Sequence, residues 1–383
     1  MHVDLNSFFP SCEELRDPNL KGKPHAVIMT DEPKDKITRG AVASCSYEAR
    51  KYGVRSAMSL FNAKQLCPQL ILNPVDKVYY QQVSQKVMTL LEEYADVLEQ
   101  TSIDEAYLDC TRKLLARTED NNSFSIEEYA AKIKDAIKLQ CGLLSSIGVA
   151  PTKSTAKVAS DFKKPDGLTI IYTDNLQTFL KNLEVDRIAG IGTKTQHALK
   201  EEMGIKTIGQ LAKYDVQSLM DRFGKKNGLW MWQVANGRDN DMVSPREDNI
   251  SISTEQTLDQ STSDKVKILQ QLNMLVDEVY ERVKTHGYMF RTVGVKLVRS
   301  DFTIERREIS FSNLRTDKES IESVLEELVD RFSFNLNDTN TINSGNNDKT
   351  KLAFRKVGII ISNLVRSEKK KNSFQQKTLS DYI

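Results

Sequence analysis

Between Thr101 and Asp109 two acidic residues stand side by side, Asp104 and Glu105, at a turn between two strand-like runs. Adjacent carboxylates repel one another unless a cation sits between them. A third carboxylate, Asp4, closes a short apolar run at the start of the chain. Three hard oxygen ligands from two strand ends suit a pair of Mg²⁺ ions about 3.5–4 Å apart, the arrangement of in-line phosphoryl transfer. Magnesium favours a few carboxylates plus substrate phosphates over a closed protein cage. Taken alone, an Asp-Glu pair in a turn reads more readily as a solvated corner, so other motifs have to decide.

Competing chemistries lack their residues. The five cysteines (Cys12, Cys45, Cys67, Cys110, Cys141) are scattered with no Cys-x-x-Cys, which argues for free thiols and against zinc or a disulfide framework. None of the four histidines is spaced as a metal pair. No Gly-Lys-Ser/Thr P-loop occurs, and Gly190 and Gly192 lack the third glycine of a dinucleotide fingerprint, since position 195 is Thr195. No apolar run approaches the ~20 residues of a membrane span. The first residues carry no signal-peptide pattern. They read as a strand entered near its catalytic end, and a few residues of that strand are expected upstream.

The elements that must position the acids follow from periodicity. At 383 residues the chain is too long for one ordinary core. Up to residue 182 short β-branched runs alternate with longer amphipathic ones. Candidate strands are Val3 to Leu5, Ala26 to Met29, Val97 to Ser102, Ala106 to Asp109, Ser146 to Val149 and Leu168 to Ile171. Tyr79, Tyr80, Val83, Val87, Leu90, Leu91 and Tyr94 recur at helical spacing. A sheet backed by helices is expected, of α/β or α+β type.

Residues 183–238 are short, helical and glycine-punctuated. From Lys181 to Arg238, 10 basic residues face 6 acidic ones, a local excess that the whole chain's net charge of +1 conceals. The run Ile188 to Leu199, with Gly190, Gly192 and Lys194, looks like a helix-hairpin-helix whose backbone N–H groups meet DNA phosphate without reading sequence. Residues 239–249 read as an exposed linker. Then come a strand (Ile250 to Thr257), a helix (Asp264 to His286), two strands (Thr292 to Arg299, Phe302 to Phe311), a helix (Glu319 to Phe332) and a strand (Arg355 to Ser362). This β-α-β-β-α-β order is a small split sheet with helices on one face. Arg291, Lys296, Arg299, Arg306 and Arg307 lie on adjoining strands, where Lys296 could join other basic groups on a DNA side. The run Asn335 to Thr350, with six asparagines, is expected to be a disordered loop.

The runs Val3 to Glu13, Tyr47 to Met58, Ser102 to Tyr107, Gly148 to Ser160 and Lys164 to Gly167 together resemble the Y-family DNA polymerases, most closely the DinB or polymerase IV branch with its archaeal members. The likeness covers nearly the whole chain. It implies a multidomain α+β right hand: palm and fingers in 1–182 (fingers about 14–75), a helix-hairpin-helix thumb in 183–238, a linker in 239–249, a little finger in 250–363 and a flexible tail in 364–383. It implies low-fidelity, template-directed extension of primers past damaged bases, with two Mg²⁺ ions per site. By the same match Asp4, the Leu5 carbonyl, Asp104 and Glu105 hold the metals. Tyr47, Arg50 and Lys153 hold the β- and γ-phosphates of the dNTP. Phe9 is the steric gate against a 2′-OH, Phe8 packs beside it, and Ala41, Ala43 and Ala57 roof the nascent base pair. Many members carry a second Asp two residues after the first; here it is Asn6.

The C-terminal Gln376, Leu379, Tyr382 and Ile383 resemble the peptide that docks into PCNA-type sliding clamps, and a tether of that kind raises the local concentration at a primer end. Primer-template DNA, dNTPs and a clamp are the expected partners of a monomer working in an archaeal or prokaryotic cytoplasm, with a eukaryotic nucleus as the alternative. Two rivals remain at this stage: a nonpolymerising nucleotidyl transferase on a related palm, and a catalytically weak bypass scaffold recruited through the tail.

Overall fold

The computed structural model describes residues 1–30, 32–38, 40–119, 125–245, 250–334 and 353–366. It divides into two units, Met1–Arg246 and Glu247–Ile383. No helix among the described residues is long and apolar enough to cross a membrane.

The strands of the first unit are β1 (His2–Leu5), β2 (His25–Met29), β3 (Ala41–Cys45), β4 (Ile71–Pro74), β5 (Val97–Gln100), β6 (Glu105–Asp109), β7 (Ser145–Val149) and β8 (Leu168–Ile170). They form a larger sheet in the order β5-β6-β1-β7-β8 and a smaller one in the order β3-β2-β4. β3 and β4 are absent from the sequence reading. The first is built of small residues and the second ends on Pro74, both weak strand signals.

In the larger sheet β1 runs antiparallel to both neighbours, with Asp4 opposite Glu105 on β6 and Ser146 on β7. Alternation then sorts the faces. Val3, Leu5, Ala106, Leu108, Ile147 and Val149 pack into one core with Tyr80, Val87, Leu91, Tyr129, Ile133 and Ile137 of two helices, Lys77–Tyr94 and Ile126–Cys141. Burying each valine, leucine or isoleucine among them contributes roughly 1.5–3 kcal/mol. The first helix starts on Asp76, whose carboxylate accepts the Tyr79 N–H at 3.0 Å. The second carries a Ser125/Glu128 capping box and stops at Gly142 with φ +70°.

His2, Asp4, Glu105, Tyr107, Ser146 and Gly148 are left for the opposite face. At Gly148 a Cβ would stand 2.0 Å from the Ala156 carbonyl oxygen and 2.3 Å from the Ser160 nitrogen. The helix Lys153–Phe162 therefore rides directly on β7, an approach only glycine permits.

Residues 183–238 fold as short helices around Leu199, Ile208, Leu211, Leu219 and Met231. The second unit holds β9 (Ser251–Thr262), a helix Lys265–Thr285, β10 (Tyr288–Arg299), β11 (Ile304–Arg315), two short helices Glu319–Glu322 and Leu325–Asp330, and β12 (Phe354–Ser362). Its antiparallel sheet has the order β11-β10-β12-β9. The β-α-β-β-α-β expectation holds, with β9 longer than expected and the second helix in two pieces. The asparagine-rich run and the tail, with Gln376, Leu379, Tyr382 and Ile383, lie outside the described residues.

Candidate active site

Strand pairing brings the distant acids together. Asp4 and Glu105 are cross-strand partners, and the Leu5 N–H donates to the Asp104 carbonyl at 2.9 Å. The turn carrying Asp104 is stiffened from within: Ser102 Oγ donates to Asp104 Oδ1 at 2.6 Å, and Ser84 Oγ donates to the Ile103 carbonyl at 2.5 Å. Asp4 is only 6% exposed. Burial pushes its carboxyl up to about 7, against the pull of Lys164, and the neighbouring Glu105 acts in the same direction as burial.

Two lysines from the helix over β7 and the turn beyond it meet these acids. Lys164 Nζ lies 2.5 Å from Asp4 Oδ2 and 2.6 Å from Asp161 Oδ1, while Lys157 Nζ lies 2.7 Å from Glu105 Oε2. Glu105 is held below the usual carboxylate range by the His2 ring, Lys157 and Asp4. His2 Nε2 stands 3.8 Å away, beyond hydrogen-bond length, and burial keeps that ring below its ordinary value. The Lys157 ammonium is therefore the contact that stabilises the charge. Among the described residues no three His, Cys, Asp or Glu side chains are gathered closely enough to hold a metal ion. The donor set nevertheless fits hard divalent cations: carboxylates of Asp4, Asp104 and Glu105, with the Leu5 carbonyl between the first and the turn.

Lys153, expected at the triphosphate, stands elsewhere. Its ammonium binds both Glu99 oxygens at 2.8 and 2.9 Å and Asp241 Oδ2 at 2.8 Å. It helps line a 550 Å³ cleft with Tyr107, Asp239 and Asp241 that includes neither Asp4 nor Glu105. Lys157 and Lys164 hold the place near the acids instead. Both lie inside runs the sequence singled out; one helical turn separates Lys157 from Lys153, and the missing signal was which end of that helix the sheet receives.

Tyr47 opens the helix Tyr47–Lys51, which Ser46 caps by accepting the Ala49 N–H at 3.2 Å. Burial raises the Tyr47 hydroxyl, while Arg50 and Lys164 lower it and Asp4 raises it, so this side chain lies within electrostatic reach of the acids. The Arg50 guanidinium stands 5.0 Å over the Tyr47 ring. Phe8 is core at 2% exposure; Phe9 is half-buried and stacks on Tyr80 with centroids 4.5 Å apart and 17° between planes. Tyr80 is fixed in turn, its hydroxyl donating to Glu13 Oε1 at 2.7 Å. Ala41 and Ala43 share one face of β3 and are half-buried, and exposed Ala57 has φ +66° and donates its N–H to the Val42 carbonyl at 2.8 Å.

In the helical segment Gly190 has φ +101°, and a Cβ there would meet Trp230 at 2.8 Å, so this turn demands glycine. Gly192 does not: its φ is −81° and the space beside it is open. It caps the helix Thr193–His197 without a side chain, and Lys194 on that first turn is exposed.

Residues 239–245, read as an exposed linker, are tied down. Asp239 Oδ2 accepts from the Ser154 N–H at 3.0 Å and its hydroxyl at 2.5 Å, and Glu99 accepts the Ser244 N–H at 3.0 Å. Of the five basic residues noted on the second sheet, Arg299 and Arg307 cover Phe354 and Phe332 on the helix side. Lys296 and Arg306, paired across β10 and β11, belong to the open face. There Lys296 meets Glu255 at 2.5 Å and Arg306 meets Glu308 at 2.7 Å.

Comparison with known proteins agrees along the whole chain. The sequence pattern of the impB/mucB/samB family matches residues 3–161, and that of its C-terminal domain matches residues 249–379. The helix-hairpin-helix motif of DNA polymerase eta and Rev1 matches residues 183–238. DNA polymerase IV of Methanoculleus marisnigri is 42% identical over 322 residues, covering 84% of this chain and 86% of that protein. DNA polymerase IV of Nitrosopumilus maritimus is 36% identical over 332 residues, covering 86% and 89%. Among solved structures, a Y-family DNA polymerase chimera containing Dbh segments superposes with a TM-score of 0.82 at 30% identity, covering 96% and 99% of the two chains. An insertion ternary complex of Dbh DNA polymerase gives 0.63 at 30% identity with the same coverage.

Proposed function

The chain belongs to the impB/mucB/samB family, the Y-family DNA polymerases in their DinB or polymerase IV branch, and is a translesion DNA-directed DNA polymerase; on that premise we propose that Asp4, Asp104 and Glu105 carry its chemistry. The observation behind this is the β1–β6 register, which sets Asp4 against Glu105 and ties Leu5 to Asp104. These three carboxylates and the Leu5 carbonyl would hold two Mg²⁺ ions. Bound divalent cations supply Lewis acidity toward the primer 3′-oxygen and the triphosphate.

The primer 3′-oxygen attacks the α-phosphate of the incoming dNTP. A new O–P bond forms as the bond to the β-phosphate oxygen breaks, pyrophosphate leaves with that electron pair, and the 3′-hydroxyl proton passes to solvent. Lys164, Arg50 and Tyr47 hold the β- and γ-phosphates; Lys164 takes the role first given to Lys153, because it already stands on Asp4. A guanidinium forks onto phosphate oxygens and an ammonium acts as a point charge, so the pair divides orientation from attraction. Phe9, braced on Tyr80, stands under the sugar and collides with a 2′-OH. Ala41, Ala43 and Ala57 leave slack above the nascent pair, which admits a distorted base. The first turn of the helix after Gly192, with Lys194, takes a DNA backbone phosphate.

Gln376, Leu379, Tyr382 and Ile383 are proposed to dock into a PCNA-type clamp, with the nucleoid as the place of work. Deleting 376–383 should weaken clamp binding while distributive extension persists; equal clamp affinity would remove this partner. For the polymerase reading itself, primer extension on intact and abasic templates is expected with Mg²⁺ and lost on chelation. Extension that persists in excess chelator would overturn the metal reading.

A further inference from the structure

We propose that Asn6 is a positioning residue that sets where the Lys164 ammonium stands, and through it the grip on the triphosphate; the second half rests on the reading of Lys164 given above. Asn6 is 3% exposed and continues the alternation of β1 by one step, so its side chain leaves on the face of Asp4. Asp4 Oδ2 accepts from Lys164 Nζ at 2.5 Å, and Asn6 Oδ1 accepts from the Asp166 backbone N–H at 2.6 Å. Two residues two apart on one segment thus engage two residues two apart on another.

A backbone N–H can only donate, which fixes the amide: its oxygen faces Asp166, and its nitrogen donates to Ser146 Oγ at 2.9 Å. Ser146 is fully buried and accepts the next N–H of the turn, that of Gly167, at 3.2 Å. Successive N–H groups of the Lys164–Gly167 turn are therefore pinned from beneath by Asn6 and its partner Ser146. From the outer side Lys134 Nζ holds the Asp166 carboxylate at 2.9 Å and the Gly167 carbonyl at 3.2 Å. Loss of Asn6 should loosen the turn and leave it attached.

The residue type suits the task. A carboxylate at position 6 would still accept the Asp166 N–H and the Ser146 hydroxyl, which donates to Asn6 Oδ1 at 3.2 Å, but it would offer Ser146 no donor and add another negative charge beside Asp4. An amide supplies both hydrogen-bonding roles without charge. The Asn6 amide is taken up by Asp166 and Ser146, so it acts by holding the segment that carries Lys164.

The test has two arms. In the first, the protein without DNA or nucleotide is acetylated with limiting acetic anhydride, and each lysine is followed by peptide mass spectrometry. In Asn6→Ala the Lys164 rate should rise about fivefold, as its fixed hydrogen-bonded position is lost, with the Lys157 rate unchanged. Asn6→Asp keeps the acceptor and should keep Lys164 protected. Equal Lys164 rates in wild type and Asn6→Ala would overturn the proposal. In the second arm, Asn6→Ala should raise the dNTP KM about tenfold with a smaller change in kcat, the pattern of lost ground-state and transition-state binding together. It should add nothing to Lys164→Met. Full additivity of the two substitutions would also overturn the positioning role. A labelling shift with an unchanged KM in Lys164→Met would leave Asn6 as the positioner and remove the triphosphate reading alone.

Discussion

Two clusters in this molecule are built from the same parts and end with opposite surplus charge. In the first unit Lys164 and Lys157 stand 2.5 and 2.7 Å from Asp4 and Glu105, and Asp161 adds a third carboxylate 2.6 Å from Lys164. In the second unit a single carboxylate, Glu255, spans Lys296 at 2.5 Å and Lys356 at 2.6 Å on the open face of the sheet. One cluster keeps more carboxylates than ammoniums, the other more ammoniums than carboxylates.

The acids of the first cluster split, since the His2 ring, Lys157 and Asp4 hold Glu105 low. Burial raises Asp4 to about 7 despite Lys164. Burial would raise Glu255 as well, but two ammoniums outweigh it and the group is lowered. A pocket left short of positive charge favours divalent cations; a half-exposed face left with spare ammonium favours phosphate. Ion pairing alone therefore does not tell a catalytic cluster from a binding surface. The remainder after pairing does.

Neutralising the acidic surplus should have the largest effect. Asp104→Asn or Glu105→Gln should lower primer extension by about 10³-fold or more, with the far-UV circular dichroism unchanged, since charge stabilisation in phosphoryl transfer is commonly worth that much. Extension near the wild-type rate would remove the acids from the chemistry. Moving from acids to their lysines, Lys164→Met should raise the dNTP KM about tenfold, whereas Lys153→Met should leave it within about twofold and lower thermal stability instead. The reverse ranking in steady-state assays would return the triphosphate to Lys153.

Away from charge, Phe9→Ala should raise ribonucleotide insertion by about ten- to a hundredfold relative to dNTP insertion, as a steric rejection of one hydroxyl is lost. Unchanged sugar discrimination would take the gate role from Phe9. The smallest effect belongs to the second cluster. Glu255→Gln should tighten duplex binding by about two- to fivefold and steepen its salt dependence by up to roughly two units, one for each lysine released to a phosphate. Weaker binding would mean that Glu255 aims the lysines rather than competing for them.

Much of this was legible in the sequence, and what was missed has a physical reason. The convergence of Asp4 with Asp104 and Glu105 was expected from the family resemblance of the runs that carry them, since the acids alone read as a solvated corner; the β1–β6 register sets Asp4 against Glu105. The β-α-β-β-α-β order was readable because strands alternate strictly. Strand β3 escaped because Ala41, Ala43 and Ser44 carry little apolar pattern. Lys153 drew the triphosphate role from the family match alone, while Lys157 and Lys164 stand on the acids. Gly148 decides between them: with no Cβ in the way, the helix settles onto β7 and delivers its middle to Glu105 and the turn beyond its end to Asp4. Such a close approach leaves one glycine in the sequence and no periodicity. Residues 239–245 look like a linker by composition, and the hydrogen bonds of Asp239 and Ser244 to the first unit depend on partners far away in the chain.

The proposed chemistry rests on carboxylates at Asp4, Asp104 and Glu105 that would hold two divalent cations. Titrating Mn²⁺ into the complex with primer-template DNA and a nonhydrolysable dNTP, with free Mn²⁺ read by electron paramagnetic resonance, measures this directly. Two tight ions per wild-type complex and the loss of at least one in Asp104→Asn are expected. Two ions retained at undiminished affinity in both Asp104→Asn and Glu105→Gln would contradict it.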